Sequence, residues 1–357
     1  MEAEVHNDPA EQADGVPPPV PEPEATAKVA EIGQKVLKTG AGQARAIFND
    51  LKTVSFKEEV LPIDASNLTA LAVDFVFWAV TLLGVIPLLI VSIEGIDTQL
   101  TLFALFFAAV WGVIIKMFVM RDESTWAFPV ASLFFTGIIG LFVLIAIYRY
   151  LLPDFYLNWA DSESPLVSLF GYVFQVGVWE EVFKALPVVL FLWWKKDKAH
   201  PMALVGIGVF SGLGFAAFEN LQYGDRAVAS ADYLAEMYGE EGLMAGVQSA
   251  MITTMLRSLS LVFCHAIWAG IAAYFIAVAS IERRRVAALI IVGILVAAVL
   301  HGAYDWFTGV QMTLAAATAG FSFALFYGYL SKLRGMIDAK EAEAVAEAAG
   351  VAEPGTP

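Results

Sequence analysis

The 357-residue chain holds a single cysteine, Cys264, so no disulfide can close within it. Charge is scarce as well. Only 16% of the residues are Asp, Glu, Lys or Arg, against roughly 25% in a soluble domain. With 59% hydrophobic residues and a mean hydropathy of +0.68, this excludes an ordinary water-soluble domain. The strict alternation of a membrane β-barrel is missing. So is a basic-then-apolar leader, because the N-terminus is acidic and Pro-rich, and no cleaved signal peptide is expected. The first two dozen residues lack Lys and Arg but hold Glu2, Glu4, Asp8, Glu11, Asp14, Glu22 and Glu24. Further acids come after Gly335. The net charge of −15 therefore resides mostly in tails and gives no reason to expect a nucleic-acid partner.

Long apolar runs, by contrast, are abundant. They define an all-α polytopic membrane protein, a multi-pass resident of the cell membrane with the lipid bilayer as its surroundings. Eight segments are expected, at about 68–92, 99–120, 127–150, 166–194, 202–223, 250–280, 286–306 and 310–331. Lys116 and Arg121, Lys195, Lys196 and Lys198, Arg283 to Arg285, and Lys332 and Arg334 mark alternate connections as basic. The intervening connections are acidic. The positive-inside rule then places both termini in the cytoplasm.

The chain divides into four parts. Residues 1–26 form an acidic, Pro-rich tail expected to be disordered, with Val16 to Glu24 extended. Residues 27–66 form a basic amphipathic arm, broken at Gly40 and Gly42, suited either to an anionic leaflet or to a loose cytosolic arm. Residues 67–334 form the helical membrane domain, and 335–357 an acidic C-terminal tail.

Ionisable groups inside the spans carry the functional signal, since each costs on the order of 2.5–3.5 kcal/mol at a helix centre. Glu180, Glu181 and Lys184 lie within one run, and Glu219, His265 and His301 occupy three later ones. Glu180 lies about 14 residues into its span, roughly 20 Å deep. The others share the outer half of the bilayer. Glu180 and Lys184 are i,i+4 neighbours able to pair, leaving Glu181 about 100° away to face a cavity. Two close carboxylates in low dielectric resist joint ionisation. Pro187 predicts a kink beside them. Gly208 and Gly212 form a small-residue face for close helix approach. Asn220 can hold a carbonyl oxygen or orient a water. Asp305, i,i+4 from His301, can orient its imidazole.

Structural readings compete at several positions. A single membrane histidine such as His265 often only bonds a neighbouring helix. Asp74, Lys116 and Arg257 sit near span ends and read as snorkelling or paired charges. His6 and His200 fall in a tail and a loop. A proton- or ion-coupled transporter would use the same residue types, but no internal repeat is visible. A non-catalytic membrane scaffold is the other alternative.

Glu180-Glu181-Val-Phe-Lys184 fits E-E-x-x-K, Phe215-Ala-Ala-Phe-Glu219-Asn220 fits F-x-x-x-E-N, and His265 and His301-Gly-Ala-Tyr-Asp305 come after them in order. Over about residues 70–330 this set resembles the PrsW family of intramembrane proteases, distantly related to the CAAX prenyl endopeptidases. The resemblance implies hydrolysis of single-pass, membrane-anchored protein substrates, such as an anti-sigma factor, near the extracytoplasmic side. It implies that Glu180 or Glu181 activates water and that Glu219, His265 and His301 complete the site. Glu219, His265 and His301 can hold Zn²⁺ with an open position. There is no H-E-x-x-H helix, so a metal-independent, glutamic-type site stands beside the zinc one. The acidic connection from Tyr223 to about Ala245 is long enough to cover such a site as a lid.

Overall fold

The computed structural model describes residues 23–53, 69, 73–120, 126–195, 199–283 and 285–348, and every regular element among them is helical. Residues 1–22 of the expected disordered tail lie outside the described residues, as do 54–66 of the arm and 349–357 of the C-terminal tail, while 23–26 of that tail are helical rather than disordered.

The chain divides into two units between Ala79 and Val80. In the first, α1 (Pro23–Leu51) is one helix rather than the broken one expected. Each of Gly40 and Gly42 costs about 1 kcal/mol against alanine. The Ala, Lys, Gln and Arg residues around them are strong enough helix formers to carry the backbone across. Val36, Ile47 and Phe48 are exposed on it.

The helix α2 (Phe75–Val91) leads into the second unit, with Thr81–Val91 as its short apolar part. Five stretches there are long and apolar enough to cross a membrane: α3 (Ile96–Val119), α4 (Ala127–Tyr150), Pro201–Glu282, α8 (Val286–Val310) and Met312–Ala346. The last belongs to α9 (Met312–Ala348). By this measure there are five such stretches among the described residues, and one of them, Pro201–Glu282, covers two of the eight expected segments. The helical run α5 (165–195) is not among them, and it carries Glu180, Glu181 and Lys184.

The stretch Pro201–Glu282 has 82 residues and would measure about 120 Å if straight, four times the roughly 30 Å apolar layer. It bends once, at Gly239, whose φ of 65° and ψ of −144° leave the helical region. Glycine tolerates this because it has no Cβ. Contacts on either side pair residues at matching distances from the bend. Ala231 meets Gly246, Asn220 meets Ser258, and Gly212 meets His265. The stretch is thus an antiparallel hairpin of α6 (201–238) and α7 (240–282). The acidic connection expected over 223–245 is helical and forms the tip of this hairpin. Its Ala, Leu, Met and Glu residues favour helix, and only Gly239 interrupts them.

This hairpin is the centre of the unit. From Leu204 to Ala217 every residue of α6 is buried, and α3, α4, α5, α8 and α9 pack around the pair. At Gly212 a Cβ would collide with the main-chain carbonyl of His265, so the two backbones touch there. Large apolar side chains on the outer helices, such as Phe118, Phe142 and Phe321, are exposed, as lipid-facing residues are. The helix α9 runs past Gly335 to Ala348, so the tail expected from 335 begins as its continuation.

Among the described residues four helices contain a π-helical turn, at Ile115–Val119, Phe135–Gly140, Gly171–Gly177 and Arg257–Leu261. Such turns rotate the downstream part of a helix relative to its upstream part, and they recur at functional sites. Two of them lie just ahead of the polar residues: 171–177 before Glu180, and 257–261 before His265. The helix Val178–Lys195 continues through Pro187 without a break.

Candidate active site

Four helices deliver the polar residues to one place. The helix α5 supplies Glu180, Glu181 and Lys184, and α6 supplies Glu219 and Asn220. From α7 come Arg257 and His265, and from α8 His301 and Asp305. Glu181, Lys184, His265 and His301 are at most 1% exposed, and Glu180 is 8% exposed.

Lys184 anchors the pair of glutamates. Its Nζ donates to Glu181 Oε1 at 2.8 Å and to Glu180 Oε2 at 3.2 Å, and it lies 4.5 Å from the centre of the Phe215 ring. One cation is thus shared by two carboxylates in a dry setting, where an unpaired charge is costly. Ser211 Oγ donates to the carbonyl of Lys184 at 2.7 Å, and Thr136 meets Ser211 at 2.6 Å, tying α4 and α6 to this turn.

The two histidines are held from different sides. His301 Nδ1 is 3.1 Å from Glu181 Oε1, and its Nε2 is 3.2 Å from Asp305 Oδ2 and 3.6 Å from Glu180 Oε2. The Trp268 indole stacks on the His301 ring at 4.6 Å and 17°, while its Nε1 donates to Ser322 Oγ at 3.0 Å. His265 points Nε2 at Glu219 Oε2, 3.4 Å away, and Nδ1 at Glu180 Oε2, 4.0 Å away. The Phe215 ring lies beside it at 5.7 Å. At the rim Arg257 Nε donates to Asn220 Oδ1 at 3.0 Å, and its Nη2 is 3.3 Å from Glu219 Oε1.

Glu180 is the member common to both histidines. The sequence expectation paired Glu180 with Lys184 and left Glu181 to face a cavity. The structure gives Lys184 to both carboxylates and buries Glu181 behind His301, so Glu180 is the one facing the cluster.

Glu180, His265 and His301 each offer a ligand atom, and these atoms lie within 4.8 Å of one another. Two imidazoles and one carboxylate are a ligand set that zinc accepts with a position left open. The surroundings fit a cation. His265 Nδ1 is buried without a hydrogen-bond partner, and so are one oxygen each of Glu181 and Glu219. If the Nδ1 hydrogen of His301 serves Glu181, the lone pair on Nε2 faces the carboxylates of Glu180 and Asp305. A second ring proton or a bound cation would relieve that. The compact trio contains Glu180, whereas the sequence had offered Glu219 as the carboxylate partner of the two histidines. Glu219 stands on the far side of His265, against Arg257.

All eight residues singled out in the sequence come together here. Of the two expectations for Arg257, a snorkelling or a paired charge, the structure shows the second: it lies against Glu219 and Asn220, a placement that depends on the reversal at Gly239. Trp268 was not singled out. Its position three residues after His265, on the same helix face, was the available signal.

A family model described as PrsW family intramembrane metalloprotease matches residues 124–331, more than half of the chain and all of the site. No curated protein and no solved structure matches the chain.

Proposed function

The chain belongs to the PrsW family of intramembrane metalloproteases, and from that premise we propose that it cuts single-pass membrane proteins at the buried cluster around Glu180. The observation that carries this reading is the convergence of Glu180, His265 and His301 within 4.8 Å, from three separate helices of a multi-pass membrane protein. Ionisable groups are expensive at such depth and collect where chemistry needs them.

In this reading Glu180 orients the attacking water and accepts its proton. Its Oε2 is the carboxylate oxygen that faces both imidazoles. Lys184 keeps that carboxylate in place, and Glu181 fixes the ring of His301 through Nδ1. The Asn220 amide, immobilised by Arg257, is placed to donate to the scissile carbonyl. The histidines pass the proton on to the leaving amine. Glu180, His265 and His301 are the residues that would hold Zn²⁺. The ion would supply a more acidic water and polarise the carbonyl. With the ion bound Glu180 would serve as a ligand in place of a base, so it is required in both cases.

The substrate class comes from the setting. A site enclosed by helices with lipid-facing outer surfaces is reached from the bilayer or from its edge, so the scissile bond belongs to a membrane-anchored chain, an anti-sigma factor being one such kind. The alternation of basic and acidic connections supports eight crossings with both termini cytoplasmic, which puts the cut towards the extracytoplasmic side. The test is reconstitution of the full chain in liposomes with a single-pass substrate. Wild type cleaves, and E180Q and H301A fall to a residual rate roughly 10³-fold or more below it. Cleavage near the wild-type rate in E180Q removes the proposal.

A further inference from the structure

Arg257 contributes nothing to the trio directly, yet three neighbours converge on it. Its Nε donates to Asn220 Oδ1 at 3.0 Å, its Nη2 lies 3.3 Å from Glu219 Oε1, and its guanidinium carbon lies 3.5 Å from the centre of the Tyr223 ring. Glu219, Asn220 and Tyr223 are all on α6, while Arg257 opens the π-helical turn of α7. The side chain therefore clamps one arm of the hairpin to the other directly outside the histidines. An ordinary snorkelling arginine extends towards water. This one is turned inward, with a side chain only 20% exposed.

The consequence falls on Glu219. With Oε1 drawn to Arg257, the other oxygen, Oε2, is directed at His265 Nε2, 3.4 Å away, and has no hydrogen-bond partner of its own. A neutral imidazole carries its hydrogen on one nitrogen, and the neighbour of the other nitrogen decides which. Glu180 also faces this ring, through Nδ1, but from 4.0 Å and with its Oε2 already bonded to Lys184. The nearer, less committed acceptor is Glu219.

Resting on the site reading given above, we propose that Arg257 is a positioning residue which, through Glu219, holds the hydrogen of His265 on Nε2. Nδ1 is thereby left as the bare nitrogen facing Glu180 and His301, where it accepts a proton or binds a cation. This accounts for the buried, unpartnered Nδ1. The same logic serves His301 in mirror image: Glu181 takes the Nδ1 side and leaves Nε2 to the cluster. Each histidine thus has its own orienting glutamate, and Glu180 stands between them. In effect Arg257 does for Glu219 what Lys184 does for Glu181.

The test exploits the small number of histidines. In full-length protein carrying His6→Gln and His200→Gln, only His265 and His301 remain, and ¹⁵N-histidine labelling in lipid reports the tautomer of each. The His265 signal is the one that vanishes in H265N. The expected result is an Nε2–H tautomer for His265 in the parent. In R257Q both tautomers appear, and kcat falls roughly 10–100-fold, the loss typical of removing a residue that orients a histidine ligand, while KM changes little. R257K, which keeps the charge, restores the single tautomer in part, and E219Q reproduces R257Q. These two variants carry the test if R257Q fails to fold. A parent already mixed between tautomers overturns the proposal, and so does an R257Q spectrum identical to the parent's. If the tautomer responds as described but the parent cleaves no membrane substrate, the positioning role stands and the protease reading falls.

Discussion

Glu181 and His301 are 120 residues apart in sequence and 3.1 Å apart in space, Oε1 to Nδ1. That contact joins α5 to α8, and Lys184 reaches the same carboxylate oxygen from the other side at 2.8 Å. Glu181 Oε1 is thus committed to holding others, while its Oε2 is buried without a hydrogen-bond partner. Its neighbour Glu180 has the freedom to act. Adjacent positions on one helix have been given two different tasks by the direction in which each side chain leaves the axis.

Removing the shared cation exposes this arrangement. Lys184→Ala leaves two buried carboxylates facing each other without compensation. Breaking a buried pair in this way costs on the order of 3–5 kcal/mol. The expected outcome is a clearly lowered thermal midpoint for the purified protein in detergent. Lys184→Met, similar in length but uncharged, is expected to be nearly as damaging. An unchanged midpoint in both would mean that Lys184 contributes no structural charge balance.

Two glycines of the hairpin separate shape from site. A Cβ at Gly212 would run into the backbone of His265, so Gly212→Ala displaces that histidine and cuts cleavage about 10-fold or more. Gly239 has open space around it but a φ of 65°. There Gly239→Ala strains only the tip, at about 1–3 kcal/mol, and leaves cleavage near wild type. Equal loss of activity in the two variants would contradict the assignment of Gly212 to the site.

A zinc requirement has its own signature. The full chain purified without chelator is expected to hold about one zinc per chain by elemental analysis. His301→Ala and Glu180→Gln, each missing a ligand, are expected to hold far less, whereas Asp305→Asn retains most of it. Activity lost to a chelator should return on adding zinc. Metal-free wild type that cleaves at full rate would assign the chemistry to the glutamate alone.

Much of this was legible in the sequence, for a physical reason. Charged residues in apolar runs stand out against a uniform background, so Glu180, Glu181, Lys184, Glu219, His265 and His301 could be picked out without neighbours. The i,i+4 step from His301 to Asp305 was readable as well, and the two side chains do meet at 3.2 Å. The geometry fixed by tertiary packing escaped. Which glutamate faces the histidines depends on how the π-helical turn at 171–177 rotates α5. The helical character of 223–245 was hidden by its acidity, which resembles that of a loop. Arg257 gave no sign of its partners, because Asn220 and Glu219 approach it only after the chain turns at Gly239. The α1 glycines misled in the opposite sense, suggesting a break that their neighbours prevent.

Glu180 and His301 act as one unit, and a double-mutant cycle on cleavage measures their coupling. The single variants E180Q and H301Q and the double variant are compared with wild type in liposomes containing the same single-pass substrate. Groups that share one reacting centre give non-additive losses. The account predicts that the double variant is no slower than the slower single one. Losses that multiply, as for two independent sites, would contradict it.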